Sequence, residues 1–202
     1  VYKRQMASAL AMGESNACMK RIVAAPTAGA CGVLPAVLVN YQKEKGTADE
    51  QIVRALYTAA GIGQVVAARA YIAGASGGCQ AEIGTASAMA AGALTALGGG
   101  TPSQITHAAA MALKNLLGLV CDPVGGLVEV PCVKRNVIGS VNALSAADMA
   151  LAGIISRIPP DQVIDAMREV GDQMHPSLRE TGQGGLANTP AAREWCAAQE
   201  EE

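Results

Sequence analysis

Apolar residues recur along this chain with helical rather than strand spacing, and glycine and proline mark where the runs stop. Residues 3–18 read as a first helix that ends before Arg21, and a Pro/Gly-rich stretch, MKRIVAAPTAGACG, follows. Residues 33–45 carry helical spacing and stop at Gly46, as a C-terminal glycine should. Thr47 or Asp49 is placed to cap the next helix, in which Ile52, Ala55, Leu56, Ala59 and Ala60 form an i, i+3, i+4 stripe. That helix is expected to run towards Ile72, with a kink near Gly61 and Gly63, and to break at Gly74. Residues 79–97 and 102–117 form an apolar pair around Gly98-Gly99-Gly100, with Pro102 at a first helical position. The first of the pair is expected near the centre of the fold. A cysteine-bearing loop comes next, then a helix over 133–155 that Pro159-Pro160 ends. Asp161 is expected to cap a short amphipathic helix through Gln173, and the remainder reads as loop before a charged tail. No alternating stretch bounded by hairpin turns is present. The pattern predicts an all-α fold, a single compact helical domain over 1–202 whose Gly/Pro-rich loops carry the cysteines.

Composition sharpens this picture. A chain of 202 residues can bury a real core, and half of its residues are hydrophobic. It has no Phe, one Trp and four Tyr, so that core must come from Ala, Val, Leu, Ile and Met, with Gly and Ala letting helices pack closely. A formal charge of −2 predicts no nucleic-acid partner, and the basic pairs Lys20-Arg21 and Lys134-Arg135 are too short to change that. Over residues 83–113 the only ionisable side chain is His107, which raises the question of a membrane span. The run is mostly Ala, Gly, Thr and Ser and is broken by GGGTP, so two buried helices joined by a turn explain it and no membrane partner is expected. Six irregularly spaced cysteines with no signal-like segment ahead of them are not a disulfide scaffold. They suit a reducing cytoplasm.

The candidate chemistry lies in LVCDPVGGLVEVPCVKRN and GGCQAEIG, which carry Cys121, Cys132 and Cys79. Three cysteines on irregular backbone, each at the mouth of a helix, suit a soft metal centre. Three thiolates rather than four would leave one iron of a cluster open as a Lewis acid. The alternative is that buried cysteines serve as small hydrophobes. PTAGACG, residues 26–32, leads directly into a helix, where successive N–H groups and the positive helix end favour a carboxylate. An ordinary glycine turn is the competing explanation.

The segments MKRIVAAPTAGACGVLP, GASGGCQAEIGTASAMAAG and LGLVCDPVGGLVEVPCVKRN closely resemble the iron–sulfur-dependent L-serine dehydratases, or L-serine ammonia-lyases. The resemblance is to the catalytic α chain of the two-chain bacterial form and runs from about Ala17 to Pro190. It implies that Cys79, Cys121 and Cys132 bind a 4Fe-4S cluster, and that Thr27, Ala28 and Gly29 bind the carboxylate of L-serine. It implies a cytoplasmic lyase that forms pyruvate and ammonia, an oligomer, and a β (regulatory) chain as partner. Because family α chains carry more sequence ahead of Val1, residues 1–202 are expected to be the α-chain catalytic domain without its N-terminal part. Alternatives are a related cluster-dependent lyase acting on L-cysteine or L-threonine, or a non-catalytic iron–sulfur or partner-binding helical module.

The proton-abstracting group is not assigned, and Glu82, Lys134 and His107 are the candidates. Glu82 could hydrogen-bond the substrate ammonium or a cluster-bound water, or satisfy Lys134 or Arg135. Glu129, Lys134, Arg135 and Asn136 flank Cys132, where cations would offset a thiolate-ligated cluster. His107 and His175 sit in settings typical of structural histidines. Cys18 and Cys31 fall outside the three cysteine motifs and are expected to be small packing residues, and Cys196 an exposed thiol in the polar tail. The segment at 180–190, ETGQGGLANTP, also recurs in the family, with glycines that suggest close backbone approach.

Overall fold

The computed structural model describes residues 2–127 and 130–200. Among them are nine α-helices: α1 (Tyr2–Ala17), α2 (Val33–Lys45), α3 (Asp49–Arg69), α4 (Gly74–Gly77), α5 (Thr85–Leu97), α6 (Pro102–Lys114), α7 (Cys132–Leu151), α8 (Pro160–Gln173) and α9 (Pro190–Glu200). No strand occurs among the described residues, only an isolated bridge between Cys121 and Arg179. The fold is all-α, as the hydrophobic spacing predicts.

Residues 85–95 of α5 are all buried, and the largest side chains among them are Met89 and Leu94. A helix this slender lets neighbours close on every side, so α2, α3, α6 and α7 all pack against it. The charge-free run at 83–113 is thus two helices joined by a turn. Pro102 takes the first turn of α6, and Thr101 and Gln104 form a reciprocal capping box ahead of it. No helix of the described residues is long and apolar enough to cross a membrane. α1 lies across α7 and α2, and α8 packs on α6.

Several local expectations are corrected. α3 starts from Ala48 without a side-chain cap, so neither Thr47 nor Asp49 serves, and it runs unbroken past Gly61 and Gly63 to Arg69. Its buried face is Ala55, Ala59, Gly63 and Val66, while Leu56 and Ala60 of the expected stripe are exposed. Close approach to α5 selects the small residues for the interface and turns the larger ones outward. Gly74 opens the single turn of α4 rather than ending a helix. Residues 79–97 are not one regular helix, because Gln80–Gly84 form a π-helical turn ahead of α5. α6 stops at Lys114 and α7 at Leu151, each short of its expected end. Pro159 precedes α8 as its cap, which leaves Asp161 in the first turn. The charged tail is the helix α9, whose Pro190 supplies a helix start.

Candidate metal centre and carboxylate loop

Each of the three motif cysteines is held by a different element. Cys79 precedes the π-helical turn, and Gln80 beside it is fully buried. The Gln80 amide donates to Gly77 O and Met167 O and accepts from Gly118 N, while its backbone N–H donates to Leu119 O. These bonds fix the chain on both sides of Cys79, and π turns of this kind recur at functional sites. Cys121 is pinned by backbone pairing: its N–H donates to Leu178 O at 2.8 Å and its carbonyl accepts from Glu180 N at 2.7 Å. Cys132 opens α7 directly after Pro131.

All three thiols are buried and none is in a disulfide. Burial, the largest cause, pushes Cys79 up to about 12 and Cys132 up to about 11, and it raises Cys121 as well. Charge on Cys79 or Cys132 would raise Cys121 further, so the three sulfurs lie within electrostatic reach of one another. Arg135 acts in the opposite direction on Cys79 and Cys132. Its guanidinium donates to Val120 O at 2.7 Å and pairs with Asp122 at 2.9 Å, close enough to Cys79 to favour the thiolate. Among the described residues no three His, Cys, Asp or Glu side chains converge on a single metal ion. A four-iron cluster makes a different demand, since its ligand sulfurs stand apart at separate corners. Three soft donors on three elements, kept from solvent and served by one guanidinium, fit such a group. Its charge would turn the buried thiols into thiolates.

The loop at 26–32 reaches the same region. Thr27 Oγ1 donates to Glu82 Oε1, and a Cβ on Gly29 would lie 2.6 Å from that oxygen. Only glycine lets the backbone pass so close. The Glu82 carboxyl therefore rests on the loop expected to hold a carboxylate. It is half-buried, and burial raises its pKa above the ordinary glutamate value, the Thr27 hydroxyl lowers it, and the charge of Glu180 raises it. Glu82 does not pair with Lys134 or Arg135: the first is exposed and borders a surface depression with Glu14 and Cys18, and the second is taken by Asp122.

His107 sits at mid-helix in α6, and its Nδ1 is buried with no hydrogen-bond partner. No described hydrogen bond links it to the cysteines or Glu82. His175 is exposed and bonds Ser177. Cys31 is buried, as a packing residue should be, but Cys18 is exposed because α1 ends beneath it. Cys196 is half-buried in α9, against the turn at Val124–Gly126, rather than exposed in a tail. Glu129 lies outside the described residues.

Three residues of the site carry no role in the sequence reading. Asp122 is buried and receives both Arg135 and Leu186 N, which clamps the 180–190 segment onto the cysteine loop. Glu180 has φ +64, a left-handed value uncommon outside glycine, and its Oε2 would be 3.6 Å from a Cβ on Gly74. That same Cβ would be 2.8 Å from Cys121 Sγ, so Glu180 borders the thiols. Asn136 links Cys132 to the 26–32 loop. The motifs contain all three residues, but only the folded chain shows what each one touches.

The family model for the serine dehydratase alpha chain matches residues 1–187. The chain is similar to the probable L-serine dehydratase, alpha chain, of Bacillus subtilis, 58% identical over 189 residues, 94% of this chain and 63% of the relative. It is 58% identical over 183 residues to the probable L-serine dehydratase, alpha chain, of Latilactobacillus sakei, covering 91% of this chain and 88% of that one. Against the L-serine dehydratase, alpha chain, of Peptoniphilus asaccharolyticus it is 52% identical over 186 residues, 92% of this chain and 64% of the relative. The chain thus spans less than two thirds of the Bacillus and Peptoniphilus proteins. It belongs to the serine dehydratase alpha-chain family.

Proposed function

We propose that this chain is the catalytic part of an iron–sulfur-dependent L-serine dehydratase that forms pyruvate and ammonia. The observation that carries the reading is the meeting of three buried thiols with a glycine loop and a half-buried carboxyl, in a chain of this family. Cys79, Cys121 and Cys132 would hold a 4Fe-4S cluster. When bound, that cluster supplies a Lewis acid that makes hydroxide a tolerable leaving group. The Thr27 hydroxyl and the backbone N–H groups of Ala28 and Gly29 bind the substrate carboxylate, which displaces Glu82 from Thr27. Glu82, released beside the bound amino acid, is the group we assign to take the α-proton. Its burial holds its proton above the ordinary range and brings it nearer the pH at which a base is effective. Arg135, fixed by Asp122 and Val120 O, offsets negative charge at Cys79 and Cys132.

Loss of the α-proton and the β-hydroxyl, as water, leaves aminoacrylate. Its tautomer, an imine, takes up water to give pyruvate and ammonia. The same reading makes residues 1–202 the α-chain catalytic domain of an oligomer that acts with a β (regulatory) chain. Six free cysteines fit a reducing cytoplasm as its location.

The test is anaerobic reconstitution of the chain with its partner. Cys79→Ser, Cys121→Ser and Cys132→Ser are each expected to abolish the visible cluster absorption and serine turnover together, because a hard oxygen replaces a soft thiolate poorly. Cys18→Ser and Cys196→Ser are expected to keep most of both. Absorption that survives in any of the first three would sink the ligand set. A higher kcat/KM for L-cysteine or L-threonine than for L-serine would sink the substrate.

A further inference from the structure

Asn136 lies one turn after Cys132 on α7 and is 1% exposed. Its carboxamide is fully engaged. Nδ2 donates to Gly29 O at 2.7 Å and to Cys132 O at 3.0 Å, while Oδ1 accepts from Gly32 N at 2.9 Å. One side chain therefore joins both ends of the 29–32 turn to the peptide of a motif cysteine. The fit is close: a Cβ on Gly32 would lie 2.9 Å from Asn136 Oδ1 and 2.6 Å from Ala9 O. Gly32 also opens α2 without a capping side chain of its own.

Apart from the burial of Ala30 and Cys31, the loop has few other hydrogen-bonded restraints. Its internal bonds, Ala25 N to Thr27 O, Cys31 N to Ala28 O and Val33 N to Ala30 O, shape the turn but do not orient it against α7. Its remaining ties outward among the described residues are Thr27 to Glu82 and a 3.6 Å contact from the Cys31 thiol to Met12 O. If a substrate carboxylate takes the Thr27 hydroxyl, the bond to Glu82 is lost, and the Asn136 bonds are what still tie the loop to α7, beside the Cys31 contact and the burial of Ala30.

We propose that Asn136 is a positioning residue for substrate binding: it holds the 27–32 loop in its carboxylate-receiving shape and registers that shape to Cys132. The role rests on the reading of Thr27, Ala28 and Gly29 as the carboxylate-binding group. Through Asn136 the substrate loop and one cluster-anchoring cysteine share a single frame, so seating Cys132 also sets the loop.

Asn136→Ser separates the two functions. A serine hydroxyl can donate back to Cys132 O within the helix but is too short for Gly29 O and Gly32 N. Asn142→Ala is the reference, because it removes bonds to Ser87 Oγ and Ala112 O, both 2.8 Å, elsewhere on α7. Two readouts are needed: amide hydrogen exchange over 29–32 in the metal-free chain, and KM and kcat for L-serine in the reconstituted enzyme. In Asn136→Ser, exchange at Gly29–Gly32 amides is expected to speed up about tenfold or more, given the usual strength of buried hydrogen bonds. KM is expected to rise about tenfold while kcat stays within about threefold, and Asn142→Ala should match the parent in both readouts. Unchanged exchange in Asn136→Ser overturns the positioning role whatever KM does. Faster exchange with unchanged KM instead overturns the carboxylate reading of the loop, and with it any part for Asn136 in binding. Should Asn136→Ser not accumulate as folded protein, Asn136→Thr carries the same test, since its hydroxyl can likewise donate back to Cys132 O and is too short for Gly29 O and Gly32 N.

Discussion

Glu82 is a carboxyl set against a loop whose chemistry favours carboxylates, and its protonation reports how that contact is balanced. Burial and the charge of Glu180 both disfavour the ionised form, while the Thr27 hydroxyl favours it. Thr27→Val is therefore expected to move the Glu82 titration to still higher pH, as read from the side-chain carboxyl carbon by NMR; an unmoved titration would remove Thr27 as its partner. The raised value also has a consequence for stability. The folded chain holds the Glu82 proton to higher pH than the unfolded chain does. The stability this contributes is fully present below the ordinary glutamate range, about pH 4.3, and is lost as pH rises through the folded value. Glu82→Gln cannot ionise and does not suffer that loss. The Tm difference, variant minus parent, should therefore grow from about pH 4 to about pH 8 in the metal-free chain. A flat difference would mean that the carboxyl is as well solvated folded as unfolded. At this scale the residues of the proposed site are legible in the sequence, since Cys79, Cys121, Cys132, Thr27 and Glu82 all lie in its motifs. Their partners are not: Glu82 is 55 residues from Thr27, and nothing local in either segment announces the bond.

Elements whose ends are set by their own backbone are readable in sequence, and those set by distant contacts are not. Gly46 closes α2 with φ +63 and Pro102 opens α6, and each acts through its own conformational freedom or lack of it. The π-helical turn after Cys79 depends instead on Gln80 reaching Gly77, Met167 and Gly118, which no periodicity encodes. The face of α3 misleads for a related reason, because in an alanine-rich chain the interface favours the smallest residues over the most hydrophobic. The pairing of the cysteine loop with the 180–190 segment is the contact of this kind that matters most to the site. Asp122 carries much of it, with its side chain 3% exposed and its Arg135 partner 11% exposed. Removing one member of such a pair leaves the other charge buried and unmatched, at a cost of about 3–5 kcal/mol. Asp122→Ala is expected to lower the stability of the metal-free chain by about 3 kcal/mol in urea unfolding and to expose the 180–190 segment to proteolysis. A loss below about 1 kcal/mol would show that the segment is held elsewhere.

At the scale of the whole molecule, the same packing rule that buries alanine leaves larger residues facing outward. Along α3, Val53, Leu56, Tyr57 and Val65 are exposed, with Tyr57 at 76%. Val53, Leu56 and Tyr57 recur at i, i+3, i+4 spacing outside the face formed by Ala55, Ala59, Gly63 and Val66. Under the proposed α-chain function, these exposed apolar residues are the face on α3 where another protein chain would dock. It fits the proposal of an α chain that works in an oligomer with a β chain. The isolated chain is expected to self-associate reversibly with concentration, seen as a rising weight-average mass in sedimentation velocity. Leu56→Glu combined with Tyr57→Glu places two like charges on the stripe while leaving the buried face untouched. The double variant is expected to remain monomeric at concentrations where the parent does not, with an unchanged helical spectrum. It should also need more β chain to reach a given turnover if this face is the shared contact. Parent and variant that sediment alike, both as monomers, would leave the stripe without a protein partner of its own kind and move the search for the β-chain contact to the exposed isoleucines at 154, 155 and 158.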